Sequence, residues 1–200
     1  MRSDPTSSIA EGWLALRAGL PWRDVTRRSG SGRLFVTLSI RIADFDHPGD
    51  RAAIIAVLDS YASDAVGGGR PLTEEARGRL VQALRDHGNA VVLLAFANEQ
   101  AVGIAICFIG LSTFQARPLL NVHDLAVVPG HRRKGVGRAL LIEAERQAAS
   151  RGCCKLTLEV QDDNLAARAL YERSGFVDFI VGESAPTRFL CKPLGFGEDG

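Results

Sequence analysis

Leu34, Val36, Leu38, Ile40 and Ile42 alternate with Phe35, Thr37, Ser39 and Arg41, a period of two that predicts a strand. After a turn read at His47-Pro48-Gly49, residues 50–64 carry Ala53, Ile54, Val57, Leu58 and Tyr61 at helical spacing. The loop Gly67-Gly68-Gly69 leads to a second helix from about Leu72 to His87, with Thr73 as its cap and Gly88-Asn89 as its end. Two apolar runs, Ala90 to Phe96 and Val102 to Leu111, are joined at Asn98-Glu99-Gln100 and read as a hairpin. A third strand, Leu119 to Val128, stops at Pro129-Gly130. Helix 135–151, strand 155–160, helix 164–174, strand 176–181 and a last strand over 188–192 follow, with Gly152 and Gly175 closing the two helices. The order is one strand, two helices, three strands, then alternating helix and strand. No internal repeat is present, and an α/β (α+β) domain is expected over residues 34–193.

Residues 1–33 break this regularity. They are rich in Ser, Arg and Gly and end in Ser29-Gly30-Ser31-Gly32, which reads as a linker. Trp13, Leu14, Leu16, Ala18 and Leu20 suit one short amphipathic helix, and Asp24 to Arg28 a second turn. So brief a helix-turn-helix likeness is too nonspecific to predict DNA binding, and a flexible extension is expected. Residues 194–200 read as a disordered tail.

Composition narrows the class without naming an activity. An apolar fraction of 46%, a charged fraction of 24% and a net charge of +1 describe a globular domain with no bias toward polyanions. No apolar run approaches the ~20 residues of a spanning helix. Glu11, Arg17, Arg23 and Asp24 interrupt any signal-like stretch, so a cytoplasmic location is expected. Cys107, Cys153, Cys154 and Cys191 lack zinc-type spacing and read as reduced thiols, so no metal is expected.

The segment Arg132-Arg133-Lys134-Gly135-Val136-Gly137 carries the most specific chemistry. It joins a strand to a helix whose first backbone N–H groups lack partners and carry a partial positive charge. Glycine at 135 and 137 lets a bulky anion approach that backbone, and three cations surround it. Val136, Leu140, Leu141, Ala144 and Ala148 form one apolar stripe, so the helix start is held by the core. No G-x-x-x-x-G-K-[ST] is present, and no G-x-G-x-x-G opens an early βαβ unit. A P-loop and a dinucleotide fingerprint are thereby set aside.

Leu125 to Leu140, with Val128-Pro129 followed by Arg132-x-x-Gly135-x-Gly137, resembles the acetyl-CoA signature of the GNAT superfamily. A second match follows in register, at Leu158-Glu159-Val160, Asn164, Ala167, Ala169-Leu170-Tyr171 and Ser174-Gly175-Phe176. The resemblance covers about residues 36–192. It implies a mixed, mainly antiparallel sheet flanked by helices, with strands β4 and β5 splayed around acyl-CoA. It places the pantetheine arm against backbone at Leu125, Ala126 and Val127, and the pyrophosphate on Arg132, Arg133, Lys134, Gly135, Val136, Gly137 and Arg138. Asn164 would touch the cofactor while capping its own helix. The resemblance further implies a bulge near Val127 that splays the two strands, with a backbone N–H there polarising the thioester.

Acyl transfer to an amine needs a neutral nucleophile, because an alkylamine with a pKa of ~10 is mostly protonated at pH 7. The leaving thiolate, with a pKa of ~8.5, benefits from a proton. Tyr171 occupies the position where the family has a tyrosine beside the sulfur. For the base, Glu159 matches a glutamate of ribosomal-protein N-terminal acetyltransferases, and His123 stands where spermidine/spermine acetyltransferases have one; water is a third route. A packing role for Tyr171 and a purely polar sheet role for Glu159 and His123 remain the alternatives. Strand alternation puts Asp124 on the face opposite His123, a structural position.

The expected function is therefore N-acetyltransfer from acetyl-CoA to a primary amine of a small molecule or peptide, through a ternary complex. A catalytically silent acyl-CoA-binding module is the alternative, and a DNA-linked regulator the weakest. A homodimer is left open, and no nucleic acid or membrane partner is expected. The helices over 50–87, the Gly67–Gly69 loop and residues 113–120 would shape the acceptor site. Asp59 and Asp64 favour a cationic amine there, whereas Arg70 and Arg117 oppose it.

Overall fold

The computed structural model describes residues 37–180 and 185–192. The expected extension over 1–33, the first residues of the opening strand and the tail over 194–200 lie outside them. Five strands form one sheet in the order β1-β2-β3-β4-β5: Leu38–Ile42, Ala90–Ala97, Gln100–Ser112, Arg117–Val127 and Leu156–Leu158. The first four pair antiparallel, and β4 pairs with β5 in parallel. Four helices complete the domain: α1 (Pro48–Ala62), α2 (Glu74–Asp86), α3 (Val136–Ser150) and α4 (Leu165–Arg173). The expected mixed, mainly antiparallel architecture is present.

Each face of the sheet carries its own core, because side chains alternate across a strand. Val91, Leu93, Ala95, Cys107, Leu120 and Val122 pack under α3 through Val136, Leu140, Leu141, Ala144 and Ala148. Val92, Leu94, Ile104, Ile106 and Ala126 pack on the other face under Ile54, Val57, Leu58, Val81 and Leu84 of α1 and α2. Continuous apolar runs in β2 and β3 follow from this double coverage. All four cysteines are free; Cys107 is buried in the first core, where desolvation pushes its thiol up to about 12.

Local signals mostly hold. Thr73 Oγ1 accepts from Ala76 N–H at 3.1 Å and caps α2. Asn98 and Glu99 turn the β2–β3 hairpin with φ of 49° and 68°, and Ala97 pairs with Gln100 across it. The positive pair supplies the twist that a two-residue loop needs between right-twisted strands.

Two expectations need correction. His47-Pro48-Gly49 is the start of α1, with Pro48 in its first turn, where a missing N–H is harmless. The segments 176–180 and 188–192 are not strands. One rung joins the region, Thr187 N–H to Phe179 O at 2.9 Å, and Val177, Phe179, Phe189 and Leu190 are exposed. Apolar and aromatic residues favour a strand only when a ladder and a packed face receive them.

The start of α1 is fastened to β1 by Asp50, which is 1% exposed. Arg41 grips both its carboxylate oxygens, and Asp44 N–H donates to it at 2.8 Å. The Arg41 hydrogen bonds lower the Asp50 pKa to about 2 despite burial. A depressed carboxyl stabilises the fold above its unfolded value of ~3.9, and that contribution is lost as pH falls toward the folded value. Asp50→Asn should reduce stability by about 1–3 kcal/mol at pH 7 in urea unfolding. The gap between wild type and variant should close between pH 4 and pH 2; a gap independent of pH would contradict this assignment.

Candidate functional site

The site is built around an irregularity in β4. Ile106 pairs with Asp124 and Cys107 with Val122, so His123 is an extra residue in the ladder. Such a bulge shifts the parity of the strand beyond it. Upstream, Leu120 and Val122 point into the core under α3; downstream, Leu125 and Val127 take that direction and Ala126 faces α1 and α2.

Backbone direction shifts with it. Leu120 N–H donates to Lys155 O at 3.1 Å, toward β5, whereas Val128 N–H donates to Val102 O at 3.0 Å, toward β3. Hydrogen bonds alternate along a strand, so the N–H groups of Leu125 and Val127 point away from β3. Nothing pairs with them from β5 among the described residues, because its ladder ends at Val122–Leu158. The two strands part at the bulge and leave an open edge of β4. The bulge sits at His123, upstream of the expected Val127; of the three residues expected to meet the pantetheine arm, Leu125 and Val127 turn their N–H groups to this edge and Ala126 turns its own to β3.

Beyond β4 the chain turns through Pro129–His131 into the basic segment. Arg133 has φ 59°, and Gly135, the N-cap of α3, has φ 89°. No side chain caps this helix start, so its first N–H groups face outward beside exposed Arg133, Lys134 and Arg138. Gly137 has a packing role: an added Cβ would lie 3.1 Å from Leu170 Cδ2, so glycine lets α3 and α4 touch. Val136 is buried in the core. Arg132 behaves differently from its neighbours. Its Nε donates to Val127 O at 2.9 Å and its Nη1 lies 3.1 Å from Asp64, so it ties the end of β4 to the segment after α1. Asn164 Oδ1 accepts from Ala167 N–H at 3.2 Å, which is the capping role.

The residues expected to transfer protons lie on β4, just after β5 and on α4. Asn121 Nδ2 donates to Thr157 Oγ1 at 3.2 Å and to the exposed Glu159 carboxylate at 3.3 Å, on the α1/α2 face. His123 is exposed and meets the Phe108 ring edge-on at 5.4 Å. Tyr171 packs in the core under α3, 5.9 Å from the Phe176 ring. Burial raises its phenol pKa, and the charge of Tyr61 on α1 adds to that. A phenol held neutral retains a proton that it can donate.

Asp124 is the residue that reading by alternation misplaced. The bulge turns it onto the same face as His123, where it lines a cavity of about 280 Å³ with Leu58, Tyr61, Leu72, Ala76 and Leu80. Desolvation raises its carboxyl pKa, partly offset by His123. A signal was available: apolar positions fall at Leu120 and Val122, then at Leu125 and Val127, a slip of one across two polar residues. Residues 113–120, expected at the acceptor site, do not line this cavity, and Arg117 instead donates to Gly152 O at 3.2 Å.

Comparison with known proteins fits this arrangement. The model of the acetyltransferase (GNAT) family matches residues 42–176, which span the bulge, the basic turn and Tyr171. The chain belongs to the GNAT acetyltransferase family. It is 32% identical over 133 residues to the uncharacterized N-acetyltransferase YhfO of Bacillus subtilis (strain 168), covering 64% of this chain and 83% of that one. It is 33% identical over 146 residues to streptothricin acetyltransferase of Streptomyces lavendulae, covering 64% of this chain and 77% of the relative. A crystal structure of a probable acetyltransferase superposes with a TM-score of 0.64 at 21% identity, over 77% of this chain and 99% of that one, which speaks for the fold.

Membership makes the protein an N-acetyltransferase that uses acetyl-CoA. The uncapped start of α3 and the open edge of β4 fit such a GNAT co-substrate: one offers N–H groups and cations for phosphates, the other a row of backbone donors for an amide-bearing arm. Among the described residues, no helix is long and apolar enough to cross a membrane. Gly135→Val should weaken acetyl-CoA binding at least tenfold in titration calorimetry, because a β-branched residue resists φ near +89°. A dissociation constant within threefold of wild type would show that this turn does not hold the co-substrate.

Proposed function

We propose that this GNAT enzyme acetylates a primary amine by direct attack within a ternary complex, with Asp124 receiving the amine proton and Tyr171 supplying one to the leaving sulfur. The observation that carries the reading is the bulge at His123, which opens β4 beside a half-buried carboxyl. Acetyl-CoA supplies an activated acetyl group. The amine nitrogen bonds to the acetyl carbon as the carbon–sulfur bond breaks. One proton leaves nitrogen, one reaches sulfur, and the products are an N-acetylamine and the free thiol.

Each residue has a distinct task. The N–H groups of Leu125 and Val127 are the donors suited to the co-substrate, with Val127 the one nearest the turn. The basic residues Arg133, Lys134 and Arg138 face the phosphates. Arg132 holds the end of β4 in place. Asp124 is preferred to the two other bases because it is half-buried and lines a cavity. His123 and Glu159 are exposed, and Glu159 already accepts from Asn121.

A base works deprotonated, so the rate falls as pH drops through its pKa. Burial raises that of Asp124, so the acidic limb of kcat/KM should lie above the ordinary carboxylate range. Asp124→Asn should lower kcat/KM at least a hundredfold and remove this limb, while His123→Ala and Glu159→Gln retain it. Tyr171→Phe should lower kcat more than tenfold with acetyl-CoA affinity unchanged. A limb that survives in Asp124→Asn and disappears in either other variant would reassign the base.

A further inference from the structure

The cavity beside Asp124 is selective in what it offers. Leu58, Leu72, Leu80 and Ala76 supply hydrocarbon walls, Tyr61 an aromatic ring with a polar tip, and Asp124 the one carboxylate that lines it. The other acidic residues near the acceptor side are already engaged. Asp59 accepts from Arg77 at 2.8 Å and from Leu72 N–H at 2.9 Å. Asp64 accepts from Val66 N–H at 3.1 Å and pairs with Arg132 at 3.1 Å. Among the described residues, no ion pair or hydrogen bond engages the side chain of Asp124.

This distribution has a consequence for the acceptor. One ammonium entering the cavity meets one carboxylate, whereas a second ammonium would meet no carboxylate, and a sugar hydroxyl or peptide amide would meet little beyond hydrocarbon and the Tyr61 hydroxyl. A polar or charged group held against that hydrocarbon without a partner lowers affinity about tenfold or further. Size points the same way. A cavity of about 280 Å³ has room for one small ring or branched chain with its amine.

We propose that the acceptor is a small monoamine with an apolar body, an arylalkyl or branched alkyl primary amine, whose hydrocarbon part fills the cavity between α1 and α2 while its nitrogen lies at Asp124. The proposal rests on the acetyl-transfer reading above and adds its substrate class. Polyamines, aminoglycosides and peptide N-termini are thereby disfavoured. Ala76 is exposed on the first turn of α2 and lines this cavity without any part in the acid–base or co-substrate machinery. A bulky side chain there should obstruct the apolar body alone.

The test measures thiol release from acetyl-CoA by the full chain, with 2-phenylethylamine, 3-methylbutylamine, spermidine, kanamycin and a hexapeptide beginning with alanine. The two apolar monoamines should have kcat/KM at least tenfold above the other three. Ala76→Trp should lower kcat/KM for 2-phenylethylamine at least tenfold and leave acetyl-CoA affinity unchanged by calorimetry. Faster turnover of spermidine, kanamycin or the peptide, or an Ala76→Trp enzyme with wild-type kcat/KM for 2-phenylethylamine, would overturn the substrate class and leave amine acetylation standing. Absence of amine-dependent thiol release with all five would overturn both.

Discussion

One inserted residue in β4 organises the working half of this molecule. With a regular ladder, Leu125 and Val127 would bond to β3 and the strand would continue alongside β5. The extra residue at His123 exchanges the two edges of the strand, so donors that would have been consumed inside the sheet face an opening instead. A bulge leaves part of a ladder unmade, and the continuous cores on both faces of β2 and β3 compensate for that loss. The irregularity is thus held by the most regular part of the domain.

The same shift brings the chemistry together. His123 and Asp124, adjacent in sequence, share a face that strand alternation would have denied them. Tyr171 belongs to the opposite core, where its ring meets Phe176. The two residues proposed for proton transfer, Asp124 and Tyr171, therefore come from different layers of the domain. Arg132 links the layers further, since its bonds to Val127 O and Asp64 connect the strand end, the basic turn and the segment after α1.

Much of this is legible in the amino-acid sequence. The stripe Val136, Leu140, Leu141, Ala144 and Ala148 is the face α3 buries, and the Thr73 cap stands where its residue type suggests. The basic turn and the second match through Tyr171 indicated family and co-substrate. Misreadings arose where a residue's role depends on a distant partner. Segments 176–180 and 188–192 have the composition of strands but lack a receiving ladder. Asp124 was misplaced because alternation assumes a regular strand, although the slip between Val122 and Leu125 records the insertion. Arg132 reads as one cation among three until its bonds to Val127 and Asp64 separate it from its neighbours.

Amide hydrogen exchange followed by NMR tests the central claim most directly. In the free enzyme the Ala126 and Val128 amides should exchange slowly, being bonded to β3, while those of Leu125 and Val127 exchange faster. Addition of acetyl-CoA should slow Leu125 and Val127 at least tenfold and leave Ala126 and Val128 nearly unchanged. Slow exchange of Leu125 and Val127 in the free enzyme, with no further protection on adding acetyl-CoA, would contradict the open edge on which the account depends.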